Sequence, residues 1–149
     1  MNASQDPIVH LEAARAEGAI GPDTLPARLT FVNDGPSAAR ILDRFEPIPV
    51  FFSFDLIKAD GTPILLPGGG KTDLGRNGER YFELAAGEAR SLVVDIWPLL
   101  TTALQPGAYS LRATYHNQYG RDCFRGTLTS NVVAIEVAAK VASRRGAAR

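Results

Sequence analysis

The sequence predicts an all-β fold in which two antiparallel sheets pack face to face as a sandwich. Apolar residues recur with a period of two along most of the chain, which is the spacing of a strand with one buried face. Clusters of Gly, Pro, Asn and Asp separate these runs and mark turns. A chain of 149 residues is the size of one domain and needs no disulfide to bury a core. We therefore expect about seven to eight short strands in one domain.

The first half of the chain supplies the opening strands. Residues 8–13 form a weak strand pattern, and residues 26–33 alternate clearly. In the second run Ala27, Leu29 and Phe31 share one face, which we expect to point into the core.

The segment PVFFSFDLIK is predicted to be a core strand that returns through a hairpin at Asp60-Gly61. Its opposite face carries Phe51 and Ile57, which is too apolar for a fully wet surface. We expect a partner to cover that second face, so both residues are candidate protein-binding positions. The predicted inward set is Val50, Phe52, Phe54 and Leu56.

The second half continues the alternation and contains one break in phase. Leu128 is out of step with the residues that follow it, so we expect a bulge near Ser130–Asn131 that restores the register. A further strand is centred on Phe82 and Leu84. A helical turn near residues 97–103 is predicted to bridge the two sheets. The predicted inward set is Leu92, Val94, Ile96, Tyr109, Leu111, Ala113, Tyr115, Val133, Ile135 and Val137.

The second half resembles the immunoglobulin-like and fibronectin-type-III-like modules of bacteria over about residues 80–138. Three motifs carry the resemblance: Gly87-Glu88 before a strand, Pro106-Gly107-Ala108-Tyr109 at the start of the next, and Gly126–Asn131 before the last. It implies an immunoglobulin-like sandwich in which Tyr109 is a tyrosine corner, with its hydroxyl bonded to nearby backbone. The Cys pair and core Trp of antibody domains are missing, which excludes that subclass. A weaker resemblance is to the small intracellular proteinase inhibitors of bacilli.

Composition narrows the class of partner and the compartment. The chain has 16 basic and 16 acidic residues, so its net charge of zero argues against nucleic acid as the main partner. No run approaches the roughly 18 apolar residues of a membrane span. We expect loose ends at residues 1–6 and 139–149, the latter basic, around a sandwich over residues 7–138. The start lacks the features of a signal peptide, which predicts a cytoplasmic protein unless a signal has been removed.

No combination of residues indicates catalysis or a cofactor. His116, Asp122 and Cys123 flank one turn, but the sequence offers no oxyanion site or rigid third group to complete them. The two histidines are far apart, and a zinc site needs three or four ligands. In LPGGGKTD the first glycine of a phosphate-binding loop is replaced by Leu65, so that motif fails. We therefore predict no enzyme activity, no metal and no cofactor.

The segment HNQYGRDCFRG remains as the best candidate site. It contains residue types that are enriched in binding hot spots, and loops at the end of a sandwich often meet partners. We predict a module that binds another protein or itself. The alternatives are a proteinase inhibitor with an exposed loop, a ligand- or carbohydrate-binding sheet face, and a simple hairpin turn. The candidate residues here are His116, Asn117, Gln118, Tyr119, Arg121, Phe124 and Arg125.

Overall fold

The computed structural model describes residues 8–16, 24–75 and 79–137. Within these ranges the chain forms nine strands, one helical turn α1 (Ile48–Phe51) and one 3-10 turn (Trp97–Leu99). The predicted loose ends, residues 1–6 and 139–149, lie outside the described residues. No helix in the described part is long and apolar enough to span a membrane. The strands are β1 (Val9–Arg15), β2 (Pro26–Asn33), β3 (Ala39–Leu42), β4 (Phe52–Lys58), β5 (Pro63–Ile64), β6 (Tyr81–Leu84), β7 (Ala89–Asp95), β8 (Gly107–Asn117) and β9 (Gly126–Val137).

The strands form two main antiparallel sheets with a core between them. One sheet has the order β1-β2-β7 and the other β5-β4-β8-β9, while β3 and β6 pair separately. Phe31 of the first sheet meets Tyr115 of the second edge to face, with ring centroids 4.9 Å apart. The predicted all-β sandwich is therefore confirmed.

The predicted alternation places most of the core correctly. Burial of one large apolar side chain contributes about 1.5–3 kcal/mol, so a ladder of them on each sheet drives the packing. The half-buried members of the predicted set are Val50, Leu92, Val133 and Val137. The fully buried members are Ala27, Leu29, Phe31, Phe52, Phe54, Leu56, Val94, Ile96, Tyr109, Leu111, Ala113, Tyr115 and Ile135.

The predicted bulge is present and joins the two sheets. Ser130 and Asn131 together oppose Ala113 of β8, where the register shifts by one residue. The Asn131 side chain then reaches β1, accepting from the Ala13 amide at 2.8 Å and donating to the Ala13 carbonyl at 3.0 Å. The Asn131 side chain at the bulge thus makes the two backbone hydrogen bonds that a neighbouring strand would otherwise make to Ala13. These bonds link the edges of the two sheets.

Two local predictions from turn and corner motifs are confirmed. The Tyr109 hydroxyl donates to the Gln105 carbonyl at 2.6 Å, as a tyrosine corner requires. At the β4–β5 hairpin, Gly61 has a φ of 92°, and the Thr62 amide donates to the Asp60 carboxylate at 2.9 Å. Gly61 supplies the positive φ that other residues adopt at a cost.

The segment before β4 departs from the prediction. Phe51 does not lie on an exposed strand face; it ends α1 and is fully buried. Pro49 in the first turn favours the helical conformation, so the strand alternation starts only at Phe52. The sequence also did not predict β3, and the helical turn expected near residues 97–103 is a single 3-10 turn.

Candidate functional site

The connection between β8 and β9, residues 118–125, forms a loop anchored at its base by Asn117. This residue ends β8 and is 1% exposed. Its side-chain oxygen accepts from the Tyr119 amide at 3.0 Å, and its nitrogen donates to the carbonyls of Tyr119 (2.9 Å) and Phe124 (3.0 Å). One buried amide therefore closes both ends of the loop. Asn117 was predicted as a contact residue, but its side chain lies inside, where it holds the loop instead of facing solvent.

Two residues with positive φ fold the loop tightly on itself. Gly120 has a φ of 91° and Asp122 a φ of 54°. A Cβ on Gly120 would lie 2.8 Å from Cys123 Sγ and 3.1 Å from the Tyr81 hydroxyl oxygen. Only glycine fits this position without displacement of its neighbours.

Hydrogen bonds also tie the loop to three other segments. The Tyr119 hydroxyl accepts from the Thr72 amide at 3.0 Å. The Arg121 amide donates to the Tyr81 hydroxyl on β6 at 3.0 Å, and the Phe124 amide donates to the Arg40 carbonyl on β3 at 2.8 Å. The loop backbone is therefore fixed by contacts with distant parts of the chain, not by its own turn alone.

The loop presents polar side chains to solvent. Gln118, Arg121 and Arg125 are exposed. The Arg121 guanidinium pairs with Glu79 at 3.0 Å, yet 81% of its side chain remains accessible. Such an exposed pair contributes little to stability because solvent screens it, and it leaves Arg121 within reach of a partner.

The remaining predicted contact residues lie elsewhere or are partly covered. Tyr119 and Phe124 are half-buried, and the Phe124 ring centroid lies 6.2 Å from that of Tyr115. His116 lies outside the loop, on the outer face of β8, with Nδ1 3.1 Å from the Thr127 hydroxyl. Ile57 is 37% exposed on β4 and does not meet the loop. The half-buried position of Phe124 agrees with the alternative that this segment is a simple hairpin turn.

A depression of about 350 Å³ lies beside the loop, between β1 and β3. Arg40, Cys123 and Phe124 line it, together with Val9 and Asp122. The Arg40 guanidinium is stacked 3.9 Å over the Tyr81 ring. Sequence reasoning did not find this depression because it did not predict β3.

The thiol and imidazole considered for catalysis have separate partners. Cys123 Sγ donates to the Tyr119 carbonyl at 3.5 Å, whereas His116 pairs with Thr127. Burial raises the pKa of the Cys123 thiol, which disfavours the reactive thiolate. Within residues 8–16, 24–75 and 79–137, no group of three or more His, Cys, Asp or Glu side chains is placed to hold a metal ion.

Comparison with known proteins gives structural neighbours only. No protein-family model matches the chain, and a search of curated proteins gives no match. A crystal structure of a CARDB domain from Pyrococcus furiosus, solved in complex with di-metal ions, is similar at 12% identity with a TM-score of 0.34. The match covers 90% of this chain and 94% of that domain. The assignment of the fold rests on the sheets described above.

Proposed function

We propose that the chain is a non-catalytic module that binds another protein through the β8–β9 loop. The observation that supports this most is the combination of a fixed backbone with exposed side chains. Asn117 and three tertiary hydrogen bonds hold the loop, while Gln118, Arg121 and Arg125 point to solvent. A loop that is already ordered loses little conformational entropy on binding, so more of the contact energy appears as affinity.

The surroundings of the loop suggest the chemistry of the partner. Arg121 and Arg125 are both cationic and exposed, which favours an acidic surface and speeds encounter with it. The depression beside Phe124 offers space for one inserted side chain. Arg40 lines this depression, and arginine is enriched in binding hot spots.

The two alternatives gain no support from the geometry. A carbohydrate-binding face needs exposed aromatic rings in a row, but every Phe, Tyr and Trp side chain of the chain is buried or half-buried. The β8–β9 loop turns at Gly120 and Asp122 and so presents no extended strand, which means that an inhibitory loop would have to lie elsewhere on the molecule. A protease panel still tests the inhibitor hypothesis directly.

The proposal is tested by affinity capture from the native host with three immobilised chains. The first is the wild type, and the second carries Gln118→Ser, Arg121→Ser and Arg125→Ser. The third is a control with Arg15→Ser and Arg28→Ser on the β1-β2-β7 sheet, away from the loop. We expect one protein to be retained by the wild type and the control and lost by the loop variant.

The captured protein is then purified and its dissociation constant measured. We expect the loop variant to bind at least about tenfold more weakly, since each lost hot-spot arginine costs more than about 1 kcal/mol. Equal retention by all three chains would show that the loop is not the binding site. Failure of the wild type to retain any protein would count against the proposal as a whole.

A further inference from the structure

The outer face of the β5-β4-β8-β9 sheet carries an ion pair at its centre. Asp55 of β4 and Arg112 of β8 are register partners. Arg112 donates to the same carboxylate oxygen of Asp55 from two nitrogens, at 2.9 and 3.3 Å. About half of each side chain is exposed, with relative accessibilities of 48% for Arg112 and 52% for Asp55. The pair is therefore partly available to a second molecule.

Exposed apolar side chains flank this pair on both sides. Val132 of β9 is the register partner of Arg112 and is 61% exposed. On the other side, the β4–β5 register pairs Leu56 with Ile64, the last residue of β5. Extended by one residue, this register would place Leu65 beside Asp55. Leu65 is 79% exposed, the highest value among the exposed large apolar residues described. Across the four strands, this row of the face reads apolar, acidic, basic, apolar.

The neighbouring row has small and apolar residues. Ile57 pairs with Pro63 on one side and with Ser110 on the other, and Ser110 pairs with Ala134 of β9. Ile57 is 37% exposed, and Pro63 and Ala134 are exposed as well. Small side chains let a second sheet approach to the usual distance of about 10 Å.

The order of charges in the first row matches itself under a two-fold rotation. The rotation axis runs parallel to the strands, just above the outer face and midway between β4 and β8. Rotation about it places Asp55 of a second copy opposite Arg112, and Leu65 of that copy opposite Val132. The same rotation places Pro63 opposite Ala134. Opposite charges and apolar groups therefore meet their complements, and the interface is isologous, as in most homodimers.

We propose that this face is a dimer interface on which two copies of the chain pack sheet against sheet, with Asp55 of each copy opposite Arg112 of the other. The occupant is a second copy because one rotation satisfies both charges and both apolar flanks. A different partner would have to supply the mirrored row independently. This surface is separate from the β8–β9 loop, so the dimer proposal does not depend on the proposed function of the loop.

The test uses two single charge reversals, Asp55→Arg and Arg112→Asp. Each variant alone places like charges opposite each other in the homodimer, which costs several kcal/mol. Mixed together, the two arginines of one chain face the two aspartates of the other, so a heterodimer forms. We expect each variant alone to associate more than about tenfold more weakly than the wild type, and the equimolar mixture to recover association.

Association is measured by sedimentation equilibrium, with concentrations up to about 1 mM because interfaces of modest area are weak. The double variant Asp55→Arg/Arg112→Asp should again form a homodimer, which separates loss of charge complementarity from loss of folding. Arg125→Asp, a reversal of one exposed charge on the loop, should dimerise like the wild type. Circular dichroism confirms that each variant is folded.

Three results would overturn the proposal. The wild type could remain a monomer at about 1 mM. Each single reversal could associate as strongly as the wild type. The mixture could associate no more strongly than its separate components although both are folded. The expected pattern is two weakly associating variants that bind each other.

Discussion

The β2–β3 turn and the β8–β9 loop are anchored by the same device but differ in what they expose. Asn33 ends β2 as Asn117 ends β8, and both side chains are buried. The Asn33 oxygen accepts from the Gly35 amide at 2.9 Å, and its nitrogen donates to the carbonyls of Ser37 (2.8 Å) and Leu84 (3.0 Å). At two strand ends of this sandwich, a buried asparagine side chain therefore satisfies three backbone groups.

The difference between the two turns shows which observation indicates function. The β2–β3 turn is held as firmly, and its charged residue, Asp34, is paired with His10 and is 51% accessible, whereas Arg121 of the β8–β9 loop is 81% accessible although it is paired with Glu79. The β8–β9 loop is held firmly and also presents Gln118, Arg121 and Arg125 to solvent. Anchoring is common to both turns, so the proposed recognition role of the β8–β9 loop rests on its more exposed side chains.

The largest effect is expected from removal of the two anchors. Asn33→Ala and Asn117→Ala each leave three backbone groups without their partner, so each variant should lower the free energy of unfolding by about 2–4 kcal/mol. Urea denaturation measures this. The control Gln118→Ala, at an exposed neighbour, should change it by less than about 0.5 kcal/mol. If only Asn117→Ala also abolishes partner binding, the distinction between the turns holds; equal loss of binding in both would remove it.

A smaller loss of stability is expected from Gly120→Ala. The positive φ of 91° and the 2.8 Å approach to Cys123 Sγ both oppose a methyl group here. We expect a loss of about 1–3 kcal/mol in the free energy of unfolding. Gly87→Ala has a similar φ of 80° but nothing within 4 Å of the added Cβ, so it should cost less. Equal losses in the two variants would show that steric fit in the loop is unimportant.

Tyr115 differs from the two anchoring asparagines, because its buried polar group makes no hydrogen bond within the described residues. Its hydroxyl is buried and has no hydrogen-bond partner among the described residues, and burial raises the pKa of the phenol. Tyr115→Phe keeps the ring that packs on Phe31 and removes the unpaired oxygen. We expect the free energy of unfolding to rise by about 1 kcal/mol. A loss of more than about 1 kcal/mol would show that the hydroxyl has a stabilising contact.

The sequence could predict what depends on local alternation, and little of what depends on distant register. Phe31, Phe52 and Tyr115 were assigned to the core because burial on one sheet face requires a period of two. The bulge at Ser130–Asn131 followed from the phase of Leu128. Strand β3, with the sequence ARIL, could not be found in the same way, because three of its four residues are buried without alternation.

The candidate surfaces show the same limit. The role of Asn117 depends on the Phe124 carbonyl, seven residues away, which only the folded loop brings close. The pairing of Asp55 with Arg112 joins residues 57 positions apart, so it requires the strand order. Ile57 was correctly expected on an exposed face, whereas Phe51 was not, since the turn α1 shifts the start of the strand.

The smallest effect concerns the charge on the β2–β3 turn and its dependence on pH. His10 Nε2 lies 2.8 Å from Glu12, and Nδ1 pairs with Asp34. The hydrogen bond to Glu12 first, and then the pairing with Asp34, raise the pKa of His10 above its ordinary value of 6.5. Because the raised pKa belongs to the folded state, this stabilisation is complete below pH 6.5 and is lost as the pH rises through the folded-state pKa.

The measurement compares the wild type with His10→Gln across that pH range. The group is exposed, so solvent screening limits the difference in the free energy of unfolding to less than about 1 kcal/mol. The wild type should have the higher free energy of unfolding at pH 5.5. The free energies of the two chains should converge toward pH 8.5, because His10 loses its proton over this range. A constant difference across the range would mean that uncharged His10 makes the same contacts. Partner binding by the β8–β9 loop should follow neither curve, because the two turns are anchored independently.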